Sequence, residues 1–158
     1  MEVGDLLDLS ARASAAVGPD DLLDAAICAV MRLPHPNMPV GTIGDWNWTP
    51  RGPRVAAQLR GAGMTIHWAP HPVTSNEWLA RELLAGSNAQ WIRVDEVRVS
   101  GKAPDYEASL APGAPAIVNW PAEVRAATKP LAVCAAALLL RALLQQDPAS
   151  GSGEALYV

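Results

Sequence analysis

Trp46 and Trp48, followed at once by Arg51 and Arg54, are the residues whose types and spacing most readily suggest chemistry. They stand in Trp46-Asn47-Trp48-Thr49-Pro50-Arg51-Gly52-Pro53-Arg54. On a strand, alternate side chains share a face, so both indoles would lie on one side and both arginines would follow in a tight loop. Aromatic faces and guanidinium forks suit a planar anionic ligand such as a nucleotide. His67, on a later strand-like segment, would join Trp46, Trp48 and Arg51 in that small-molecule site. The competing reading places both tryptophans in the core under helices and leaves both arginines in solvent.

A second constellation lies between Gln90 and Ser100. Read as a hairpin turning at Asp95-Glu96, it sets Val94 against Val97 and Ile92 against Val99, a consistent apolar face. The same register sets Arg93 opposite Arg98, beside Trp91. Like charges directly opposite are destabilising, so an offset is expected. The offset is either the neighbouring acids and solvent, or a bound anion or acidic partner surface.

Other routes to chemistry close quickly. His67 and His71 are four apart, but Pro70 and Pro72 exclude the helix that would make that spacing a zinc pair. His35, the third histidine, falls in a loop. Cys28 and Cys134 sit in helix-like apolar segments without a local base, and read as reduced core thiols. No serine occupies a Gly-x-Ser-x-Gly elbow. Gly61-Ala62-Gly63 follows an element instead of opening a helix, so it does not cradle a phosphate. The sequence therefore implies no catalytic residue, no metal and no cofactor.

Composition narrows the class further. The chain has 158 residues, half of them apolar, which suits a folded domain. Its net charge is −4, which argues against general nucleic-acid binding while leaving room for a small basic pocket. No apolar run is long enough for a membrane span, and the acidic Met1-Glu2-Val3-Gly4-Asp5 start lacks a signal peptide's basic region. A cytoplasmic location is expected.

The elements that must position these residues follow from pattern. A first helix is predicted over 4–17, on Leu6, Leu9 and Ala13. Gly18-Pro19 stops it, and Pro19 opens a second helix with Asp20 and Asp21 in its first turn. A loop covers 34–44, and a strand runs from Thr42 to Trp48. A short helix is predicted from Pro53 to Leu59, stopped by Gly61 and Gly63. Met64 to Ala69 alternates as a strand. Thr74 with Glu77 reads as a capping box before a helix over Trp78 and Leu84, closed by Gly86. Tyr106–Leu110 and Ala116–Trp120 are strand-like, and Pro121–Ala127 reads as a helical lead-in. The last helix, Leu131 to Gln146, is apolar nearly all round and should be deeply buried. These elements predict a single α+β domain over 1–146: a layered α-β-α sandwich, with helices packed on a small, mostly antiparallel sheet. Residues 147–158 form a Gly/Ser-rich tail, flexible or bound to a partner.

Leu6-Leu7-Asp8-Leu9-Ser10-Ala11-Arg12, and then Gly18-Pro19-Asp20-Asp21-Leu22-Leu23-Asp24-Ala25-Ala26-Ile27, resemble the opening of the phage ABA-sandwich domain family. Thr128 to Leu138 resembles that family's closing helix, with Lys129 inserted in its Thr-Pro step. The family comprises small phage and prophage proteins of α-β-α layered fold. The resemblance implies that origin and fold, and brings no catalytic residue with it. Together with the size and the surplus of tryptophan, it leads to the expectation of a non-enzymatic accessory protein. Such a protein would bind a host protein or defence complex, as an anti-defence (anti-CRISPR-like) inhibitor would. Two alternatives stand beside it: a nucleotide-type small-molecule binder or sponge, and a virion assembly component whose tail makes interchain contacts. A homodimer is expected from the general prevalence of two-fold assemblies.

Overall fold

The computed structural model describes residues 2–34, 46–61, 63–84, 86–98, 100–117, 119–121 and 123–146. The expected loop at 34–44, the strand's start at Thr42 and the tail at 147–158 fall wholly or mostly outside them. The described elements are α1 (Val3–Ala15), α2 (Asp21–Met31), β1 (Trp46–Arg51), β2 (Arg54–Leu59), β3 (Thr65–Trp68), α3 (Glu77–Arg81), β4 (Ile92–Val97), β5 (Asp105–Leu110), β6 (Arg125–Ala126) and α4 (Lys129–Gln146). The fold class is α+β. All strand pairing is antiparallel, but the strands divide between two three-stranded sheets, ordered β1-β2-β3 and β4-β5-β6. Two compact units carry them. One runs from Asp20 to Pro72; the other joins the chain up to Pro19 with the chain from Val73 onward. None of the described helices is long and apolar enough to cross a membrane.

The unit built from the chain's ends is organised by α4. Every residue from Leu131 to Leu138 is buried, as the all-round apolar pattern requires. Four of those positions are alanine, which lets α1 approach closely and bury Leu6, Leu9 and Ala13 against α4. Ser10 lies in that seam and donates a 2.7 Å hydrogen bond to the Ala135 carbonyl. Ser10→Ala should lower the unfolding free energy by about 1 kcal/mol, measured by urea denaturation, because a buried carbonyl loses its extra donor. Thr128 caps α4, its Oγ1 accepting from the Leu131 N–H at 3.3 Å. Pro130 then sits in the first turn, where a missing N–H breaks no intrahelical bond.

Several sequence expectations change in this unit. β4 does not turn at Asp95-Glu96; it runs straight through them and pairs with β5, Ile92 opposite Leu110 and Val97 opposite Asp105. The helix before it is capped by Asn76, whose side chain accepts from the Leu79 N–H, and not by Thr74, which is fully buried. That helix ends at Arg81, well before Gly86, and residues Gly86–Trp91 form a 3-10 turn. Ala116–Trp120 is not a strand among the described residues. The described residues of Pro121–Ala127 are not helical either, because the end of this stretch joins the sheet: the Val124 carbonyl accepts from the Ala108 N–H at 2.8 Å and Ala126 pairs with Tyr106.

The unit from Asp20 to Pro72 packs α2 on β1 and β2. Asp20 caps the helix by accepting from the Leu23 N–H at 3.0 Å, so Pro19 precedes the cap instead of opening the helix. Residues 54–59 form strand β2 and not the expected helix. The cause is the turn before it: Gly52 has φ +57, Pro53 is held at negative φ by its ring, and Arg51 pairs directly with Arg54. Positive then negative φ is the II′ hairpin pattern, which returns the chain as an antiparallel partner. β1 continues through Pro50, which an edge strand tolerates. The core here is Ala25, Cys28, Trp46, Val55, Ala57 and Trp68, with Leu33, Trp48, Leu59 and Ile66 packed against it.

Both cysteines are free and buried. Cys28 points its sulfur at the His71 carbonyl, 3.8 Å away. Burial, with a contribution from the Asp24 carboxylate, pushes its thiol up to about 12. An unfolded chain loses that proton near the ordinary thiol value while the folded chain keeps it. The stabilising contribution is therefore complete below about pH 8.5 and declines as pH rises toward about 12. Unfolding free energy should fall over that window, and fall less steeply in Cys28→Ala.

Candidate functional site: the outer face of the first sheet

Register assigns every side chain of β1-β2-β3 to one of two faces. Trp46, Trp48 and Pro50 pair with Leu59, Ala57 and Val55, and these with Ile66 and Trp68. That is the face turned to α2 and the core. Trp46 is 3% exposed, and Trp48 meets Trp68 edge-on with ring centroids 5.4 Å apart. The other face carries three rows: Arg51 with Arg54, then Thr49 with Ala56 and His67, then Asn47 with Gln58 and Thr65. Of these eight, all but Ala56 are exposed.

The sequence-predicted residues are thus only partly brought together. Arg51, Arg54 and His67 share the outer face. Trp46 and Trp48 lie on the opposite side of the same sheet, so indole faces and guanidinium forks do not converge on one ligand. Both tryptophans follow the burial that is usual for the type. Trp91 is half-buried at the end of the 3-10 turn, and its carbonyl accepts from the Ala111 N–H at 2.8 Å. Arg93 is not opposite Arg98. It is opposite Ser109 and is ion-paired with Asp95 at 3.1 Å, while Arg98 is ion-paired with Glu96 at 3.3 Å. The offset for those two arginines is supplied by their own strand.

The arginines of the first sheet have no such offset. Arg51 and Arg54 stand directly opposite, a geometry that sets Cβ atoms ~5 Å apart. Neither makes an ion pair among the described residues. Between Asp45 and Glu77 the sequence contains no acidic residue at all, while it contains Arg51, Arg54 and Arg60. Arg60 continues the outer face beyond β2 and donates from Nε to the Asn47 Oδ1 at 3.0 Å. Rows two residues apart are ~7 Å apart along a strand. Arg60 lies three such rows from Arg54, so the face places two cations at the hairpin end and one ~20 Å away at the other.

No family model, curated protein or solved structure matches this chain. The chemistry of the face rests on its own geometry. Asn47, Thr49, Arg51, Ala56, Gln58 and Thr65 line a small, partly open depression at its centre. It is far smaller than the ~300–1,000 Å³ that encloses a cofactor-sized ligand. Among the described residues, no three His, Cys, Asp or Glu side chains gather where a metal could sit. What the face offers is hydrogen-bond donors and positive charge spread over an exposed surface.

Arg60, Asn47, Gln58 and Thr65 were not singled out from sequence. The signal that finds them is the acid-free stretch from 46 to 76, read together with strand alternation.

Proposed function

We propose that this protein acts by binding and not by catalysis, and that the outer face of β1-β2-β3 docks an anionic partner. The observation that carries this reading is an arginine set that makes no ion pair among the described residues. Arg51, Arg54 and Arg60 share one acid-free face in a chain whose net charge is −4. Facing guanidinium groups repel each other, and an anion held between them removes that cost while gaining charge-assisted hydrogen bonds.

The biological setting we propose is a phage or prophage accessory protein in the bacterial cytoplasm, binding a host component in the manner of an anti-defence inhibitor. The resemblance carried by Leu6–Arg12, Gly18–Ile27 and Thr128–Leu138 supports it. Affinity capture from a bacterial host tests the reading. A host component retained by the wild type and by Arg98→Glu, but lost with Arg51→Glu/Arg54→Glu, is the expected result. Equal capture by all three proteins would remove the face from the mechanism.

A further inference from the structure

The composition of the docking face separates the macromolecules that could present dense negative charge to it. Protein interfaces are anchored by an apolar, aromatic-rich centre inside a polar rim. The outer face of β1-β2-β3 has no such centre: the sole apolar side chain in its three rows is Ala56. The sheet's tryptophans, the natural anchors for a protein partner, are turned to the core. What remains is guanidinium, imidazole, carboxamide and hydroxyl. Those are the side-chain groups that contact phosphate oxygens in protein–nucleic-acid interfaces, which are more polar and more positive than protein–protein ones.

We infer that this face binds the phosphate backbone of a nucleic-acid duplex, an inference that rests on the docking reading above and names its anion. A single strand would be held by stacking its bases on exposed aromatic rings. The face carries no Trp, Tyr or Phe, and its one ring, the His67 imidazole, cannot stack a run of successive bases, so it fits a duplex, whose bases are already stacked and whose phosphates lie outermost. Arg51 and Arg54 at the hairpin end and Arg60 at the far end are spaced to meet separate phosphates, with the side chains of Thr49, Gln58 and Thr65 between them. Expectation from the whole-chain charge ran the other way, because that average hides the local sign of 46–76.

The test is equilibrium binding of the full chain to a short labelled DNA duplex and, separately, to poly-glutamate, across a salt series. Three phosphate contacts predict an affinity loss of about 40-fold between 50 and 200 mM salt, and Arg51→Ala/Arg54→Ala should reduce that dependence to about 3- to 4-fold. Arg93→Ala/Arg98→Ala, on the other sheet, should leave both affinity and salt dependence unchanged. Thermal melting of each variant confirms that exposed-arginine changes leave the fold in place, and Arg60→Ala provides an independent loss of one contact. Poly-glutamate binding through Arg51 and Arg54 without duplex binding would overturn the nucleic-acid inference and leave the anionic docking face standing. Binding of neither probe would overturn both.

Discussion

Trp46→Ala will lower the unfolding free energy by about 3–5 kcal/mol, the usual cost of deleting a large aromatic side chain from a core. Trp46 is 3% exposed and packs with Cys28, Val55, Ala57 and Trp68. Its small neighbours Ala25, Cys28, Val55 and Ala57 are too short to fill the space an indole leaves. Trp48→Ala should cost less, because Trp48 is only half-buried, though it also gives up the edge-on contact with Trp68. Trp78→Ala should change stability by less than about 0.5 kcal/mol, since that indole is 70% exposed. Guanidinium denaturation followed by far-UV circular dichroism ranks the three. An unshifted midpoint for Trp46→Ala would mean that its ring is not part of the core. The same ranking separates the two uses of tryptophan open in the sequence, because a binding residue can be removed without unfolding the chain and a core anchor cannot.

Arg51→Glu/Arg54→Glu should behave in the opposite way: no loss of stability and near-complete loss of anion binding. Both side chains are exposed and neither makes an ion pair among the described residues, so the fold loses no contact. Relieving like charges held directly opposite is itself worth a few tenths of a kcal/mol, which neutral Arg54→Ala should show as an unchanged or slightly raised melting temperature. Binding loses two charge-assisted contacts at ~1.5–3 kcal/mol each and gains repulsion from two new carboxylates. That exceeds a 100-fold loss of affinity at ~1.4 kcal/mol per tenfold. An affinity within a few-fold of wild type would separate the hairpin arginines from the docking surface.

Sequence reading succeeded where one signal dominated. The apolar run from Leu131 to Gln146 could be satisfied only by burial on all sides, and α4 is buried along most of its length. The alternation of Thr65 to Trp68 matches the observed burial of β3. Reading failed where a local signal competed with a distant partner. Asp95-Glu96 has turn-like residue types, yet β5 supplies a complete row of partners and the strand runs on past them. Pro53 suits a helix start by its φ alone, but Gly52 before it takes φ +57 and commits the pair to a hairpin. Thr74 and Glu77 have capping-box spacing, but Asn76 is one residue from the helix and takes the cap.

The candidate site was legible in part for the same reason. Arg51, Arg54 and His67 could be named from residue type. Which face they occupied depended on the Arg51–Arg54 register, and that depended on a turn read as a helix start. Once the register is fixed, the tryptophans and the arginines fall on opposite sides of one sheet. The whole-chain net charge does not report the sign of this face, because 46–76 is free of acids while the rest of the chain carries all of them.

Amide NMR of the isotope-labelled chain, titrated with a short DNA duplex at low salt, shows which face of the protein meets the phosphates. Shifts should concentrate at Asn47, Thr49, Arg51, Arg54, Gln58, Thr65 and His67, with Ile92–Val97 unmoved. Shifts centred on Ile92–Val97, or no shifts at any ratio of duplex to protein, would contradict duplex binding by the outer face of β1-β2-β3.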